Sequence, residues 1–101
     1  MGMTVALENE DGTKIATVGD PTNVLHRVLP TSEDPAFQWA GTIDWYGDTS
    51  FNYLQAGRLR IEWELLIQRS DAQGATLLRQ IDELLLRCSN GIHHYVKFYG
   101  D

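Results

Sequence analysis

The stretch Leu77 to Cys88 limits the fold more than any other part of this chain. Leu77, Leu78, Ile81, Leu84, Leu85 and Cys88 recur at three- and four-residue intervals, and Asn90-Gly91 follows as a left-handed stop. That spacing predicts a helix with one broad apolar face, and such a face is stable in water only if another element covers it. The rest of the chain must supply the cover. With 101 residues and 43% hydrophobic content, it can build one core and not two, so residues 1–101 read as a single compact domain.

The cover is written in two periodicities. Thr4 to Glu8 and Thr13 to Val18 alternate around Asp11-Gly12, a pair suited to a two-residue hairpin in which both central residues take positive φ. The register then sets Val5 opposite Val18 and Leu7 opposite Ala16. Gly19-Asp20-Pro21 offers a capping Asp and a first-turn Pro, and Val24, Leu25, Val28 and Leu29 follow at helical spacing until Pro30. Phe37, Trp39, Gly41 and Ile43 alternate with Gln38, Ala40, Thr42 and Asp44, the pattern of a central strand. His94, Val96 and Phe98 alternate with His93, Tyr95, Lys97 and Tyr99 as a final strand.

The segment RLRIEWELLIQR, from Arg58 to Arg69, fits either period. Leu59, Ile61, Trp63 and Leu65 alternate with charges, as in a strand. The abundance of Leu, Glu, Gln and Arg favours a helix, and Asn52 with Gln55 forms a capping box for its start. Wound as a helix, Leu54, Ile61 and Leu65 line one side and Leu59, Trp63 and Leu66 another, which implies packing on two sides. Ser70 with Gln73 reads as a second capping box. The expected fold class is α+β: a small, mainly antiparallel sheet of N-terminal hairpin, central strand and C-terminal strand, packed against two or three helices.

Charge is distributed unevenly. Through Tyr53 there are eight acids against Lys14 and Arg27, whereas six acids balance six bases from Leu54 onward, so the net charge of −6 arises in the first half. Such a surface repels a phosphate backbone and attracts a basic protein. Nucleic acid is excluded as a partner. No apolar run approaches the roughly 20 residues of a membrane span, and the first residues lack the basic and apolar segments of a signal peptide, so a cytoplasmic location is expected. Cys88 stands alone and reads as a core residue, without a disulfide or zinc role.

Within the acidic half, the turn Asp44-Trp45-Tyr46-Gly47-Asp48 carries two large aromatics that turn chemistry does not require. Asp48 is the expected brace of the turn. Trp45 and Tyr46 suit either a lid on the core or an anchor pair in a protein interface. Together with Glu33 and Asp34 from the polar connection SEDP, the residues Asp44, Trp45, Tyr46 and Asp48 form the candidate partner-binding set. The stretches IDWYGDTSFNYLQ and HHYVKFYGD resemble a group of small acidic bacterial proteins of uncharacterised function. In size and acidity the chain is similar to immunity proteins, which neutralise toxins. That resemblance implies a binding role, and a basic toxin or enzyme as its partner.

Two other readings stand beside it. Asp44 and Asp48, with His93 or His94 and with Asp101, offer oxygen and nitrogen ligands for a metal-dependent hydrolase or metal-binding protein that uses Asp44, Asp48 and His93. A structural subunit is the third, a homodimer joined through the C-terminal strand. No Gly-x-Ser-x-Gly elbow, Gly-x-Gly-x-x-Gly loop or Walker pattern is present, so no cofactor is expected and the chain reads as a binder, not an enzyme.

Overall fold

The computed structural model describes residues 2–100. A four-stranded antiparallel sheet is built from β1 (Thr4–Asn9), β2 (Lys14–Gly19), β3 (Asp48–Phe51) and β4 (His94–Tyr99), in the order β2-β1-β4-β3. Three helices accompany it: α1 (Val24–Val28), α2 (Tyr53–Arg69) and α3 (Ala72–Ser89). The α+β class expected from the sequence is therefore the fold. Among the described residues, no helix is long and apolar enough to cross a membrane.

The hairpin keeps the expected register, with Val5 opposite Val18 and Leu7 opposite Ala16. Its turn differs from the two-residue form. Only Gly12 takes positive φ, at 85°, and the ladder shifts between Leu7 and Glu8, so the turn is longer and carries a bulge. β4 then pairs on one side with β1, Val5 opposite Phe98, and on the other with β3, Phe51 opposite Val96. Both of its edges are occupied. A homodimer formed by edge pairing through the C-terminal strand is thereby closed off.

Ambiguity over residues 58–69 resolves as helix. Asn52 accepts from Gln55 N–H at 2.9 Å and Gln55 accepts from Asn52 N–H at 2.9 Å, the reciprocal box read from the sequence. Packing is on one side only: Leu59, Trp63 and Leu66 are buried, while Leu54 is 62% and Ile61 77% exposed. Trp63 is fully buried at the centre of the core. Its ring centroid lies 5.9 Å from that of Phe98, and its Nε1–H donates to the Leu78 carbonyl at 2.8 Å, so the one polar atom of the indole is satisfied. A bidentate pair between Arg60 and Asp82, at 2.8 and 3.2 Å, closes the flank of the same helix pair.

Several ends differ from their sequence reading. α1 begins at Val24, not at Pro21, because Asn23 turns left-handed at φ 59°; the buried Asp20 carboxylate still accepts from Val24 and Leu25 N–H, at 2.9 and 2.7 Å. α3 is capped by Asp71, which accepts from Gly74 N–H at 2.8 Å. Ser70 instead ends α2, and Gln73 receives the Arg27 guanidinium, so no Ser70–Gln73 box forms. The Asn90-Gly91 stop is right-handed at Asn90, with φ −90°.

The largest departure is Phe37 to Ile43, which is not a strand. It forms turns and a single 3₁₀ turn at Ala40–Thr42. Glu62, reaching out from α2, accepts from Trp39 N–H at 3.1 Å and Ala40 N–H at 2.8 Å, so these donors are met by a side chain instead of a neighbouring strand. Phe37, Ala40 and Ile43 are the buried residues, a spacing of three, and the third strand falls at Asp48–Phe51.

Cys88 is wholly buried, as its sequence context implied, and burial pushes its thiol up to about 11. Alkylation by iodoacetamide at about pH 8 should therefore be negligible in the folded protein and rapid in denaturant. In urea unfolding, Trp63→Ala should cost about 3–5 kcal/mol, whereas Ile61→Ala on the open side of α2 should change stability by under about 0.5 kcal/mol.

Candidate functional site

The Asp44–Asp48 turn is held at three points. Asp44 N–H donates to Thr49 Oγ1 at 2.9 Å, its Oδ1 accepts from Tyr46 N–H at 2.9 Å, and the Gly47 carbonyl accepts from Gly100 N–H at 2.7 Å. Asp44 thus forms the Asx turn that braces this loop, the role the sequence had suggested for Asp48. Asp48 instead opens β3, opposite Tyr99. The contact with Gly100 depends on its lack of a side chain, since a Cβ there would lie 2.4 Å from the Gly47 oxygen.

The two aromatics take different environments. Trp45 is half-buried and packs against the core, with its ring 4.9 Å from that of His26 on α1. Tyr46 is 76% exposed, and its ring meets His26 edge-on at 6.3 Å. A folded imidazole therefore backs both rings. Between this turn and Thr31-Ser32 runs a groove of ≈ 270 Å³, also lined by Asp44, Trp45 and Tyr46.

The other candidate residues scatter around this centre. Glu33 is exposed on the same connection as Thr31 and Ser32. Asp34 braces its own turn through Ala36 N–H at 3.1 Å and lines a separate groove with Arg27, Phe37 and Arg69. In that second groove Arg27 is committed to Asp71 at 2.7 Å, and Arg69 lies over the Phe37 ring at 5.2 Å. The Asp71 carboxyl is held below its usual range, first by Gly74 N–H and then by Arg27.

The residues of the metal reading are not brought together. Asp48 pairs with Tyr99 at one end of β4, while His93 precedes His94 at the other and contacts Glu10. Six residues of extended chain separate those ends by about 20 Å. Asp101 lies outside the described residues, and among the described ones no group of three His, Cys, Asp or Glu side chains is placed to hold a metal ion. The sequence reading missed His26 and Thr31. No local pattern marks them, because their contacts with the turn depend on the path of the chain between residues 31 and 44.

Two substitutions separate support from display. Glu62→Ala should cost about 1–3 kcal/mol by chemical denaturation and speed amide exchange over residues 39–43, since it strands backbone donors. Tyr46→Ala should leave stability within about 0.5 kcal/mol.

Comparison of the chain with protein-family models, with curated proteins and with solved structures finds no match.

Proposed function

We infer that this protein is a small acidic binding module that seats a basic protein partner on the Asp44–Asp48 turn, in the manner of an immunity-type inhibitor covering a toxin or enzyme. The observation that carries this reading is Tyr46, a large aromatic standing 76% exposed on a turn whose backbone is tied at three points. A rigid, exposed aromatic loses little conformational freedom on binding and supplies a large contact area, the usual character of an interface anchor. The adjoining groove is of a size to accept a side chain of the partner.

Charge supports the same reading. Among the described residues, Glu33, Asp34, Asp44 and Asp48 form no ion pair with a basic side chain, so their charge remains available to a partner. Acids around an aromatic anchor steer a basic surface toward it and discourage acidic competitors. The role is stoichiometric binding, with the turn entering a cleft or covering it.

Co-expression with the product of the adjacent reading frame tests the proposal. A basic partner should co-purify and lose its own activity in the complex, and Tyr46→Ala should weaken binding by about 2 kcal/mol or more while the variant stays folded. The association rate should fall steeply as salt rises toward physiological strength, with dissociation changing less. A complex indifferent both to Tyr46→Ala and to salt would overturn this assignment.

A further inference from the structure

The sheet ends in two unpaired edges, β2 and β3, which are guarded differently. β3 is four residues long, opens with Asp48 and is followed after one residue by α2. Short length and charge are common ways of blunting an edge. β2 has six residues, Lys14 to Gly19, with no acid and no proline; its bulge falls at Ile15, so Ala16 to Gly19 are the regular part of this edge, on a chain of net charge −6. Its Ile15 side chain is 40% exposed.

One hydrogen bond defines which backbone groups that edge presents. Asp20 N–H donates to the Met3 carbonyl at 3.0 Å, one step beyond the Gly19–Thr4 pair. Bonded and non-bonded pairs alternate along an antiparallel ladder. Val18 and Ala16 therefore turn their N–H and C=O groups toward β1, and Thr17 and Gly19 turn theirs to solvent.

The geometry points to a symmetric dimer in which β2 pairs antiparallel with β2 of a second copy, about a two-fold axis at Thr17, doubling the width of the four-stranded sheet. In this register Thr17 exchanges both of its free backbone groups with Thr17 of the second copy. On the helix-covered face Val18 comes opposite Ala16 of the second copy, large against small, and both are only partly buried in the single chain. On the other face the bulged Ile15 falls beside Gly19, which has no side chain to crowd it.

Charge favours a second copy as the occupant. The β2 edge carries only Lys14, while Asp44 and Asp48 belong to the opposite edge. In the dimer the two acidic edges are separated by about 30 Å of sheet, several times the screening length of roughly 8 Å at physiological salt. Head-to-tail pairing of β2 onto β3 would instead leave free edges at both ends and propagate into a filament, whereas the two-fold contact closes.

Sedimentation equilibrium of the full chain over a dilution series tests this pairing. The parent should show a reversible monomer–dimer equilibrium. Thr17→Asp and Thr17→Lys should each be folded monomers by circular dichroism, because the two-fold axis sets identical charges directly opposite each other. Mixed in equal amounts, they should regenerate a dimer containing one of each. Thr17→Pro removes an outward N–H without touching the β1 ladder and should likewise give a folded monomer. A parent that stays monomeric at every concentration overturns the proposal and leaves the edge to a foreign strand. A dimer that survives Thr17→Asp overturns it too, and moves the contact elsewhere, to the Leu54, Ile61 and Leu65 side of α2 for example.

Discussion

Glu62 lies in the middle of α2, and its carboxylate accepts hydrogen bonds from Trp39 and Ala40. The next residue, Trp63, points the other way into the core and bonds α3 through Leu78. Two consecutive side chains thus join α2 to the segment on one side and to α3 on the other. Without Glu62 the Trp39 and Ala40 N–H groups would lose their partner, while Phe37, Gly41, Thr42 and Ile43 donate to nearby backbone carbonyls. Ile43 anchors the exposed turn that follows, so the position of Tyr46 depends on a carboxylate sixteen residues further along the chain. Charge-assisted bonds of this kind are stronger than neutral ones, and partial burial shields this one from competing water.

Some of this was legible in the sequence, where two independent signals agreed. The register of Val5 and Leu7 with Val18 and Ala16 was legible from alternation and from Asp11-Gly12, although it holds because the bulge offsets a longer turn, and α2 was identified by the Asn52–Gln55 box where periodicity alone was undecided. A single signal served for β4 and misled elsewhere. Phe37, Trp39, Gly41 and Ile43 alternate by coincidence, since the residues that enter the core are Phe37, Ala40 and Ile43. Apolar residues on two sides of α2 likewise suggested two packing partners, yet hydrophobicity does not state whether a neighbour exists. The turn's composition marked Trp45 and Tyr46 as unusual, but their shared contact with His26 is one that only the folded path creates.

The two faces of the sheet differ in chemistry. The interior on the helix-covered face of the sheet is apolar, built around Trp63, Phe98 and Phe51, whose rings meet at tilted and edge-on angles. On the opposite face Tyr99 lies between Lys14 and Lys97, with its hydroxyl donated to the buried Glu8, and this bond pushes the phenol up to about 12. Both lysines of the chain are therefore engaged on that face, around the residue that pairs with Asp48 across the sheet.

The position of β4 has a bearing on how the molecule assembles. Thr4 pairs with Tyr99, so the centre of the sheet joins the most distant parts of the described chain. The β1–β2 hairpin and the α2–α3 pair are local and can form early, but β1 and β3 share no border until residues 94–99 slide between them. Closing such a long loop before any reward is slow, and two open strand borders stay exposed meanwhile. During synthesis on a ribosome, this chain would emerge as a hairpin and a helical pair with a gap between β1 and β3. The last strand to appear would complete the middle of the sheet, not its margin.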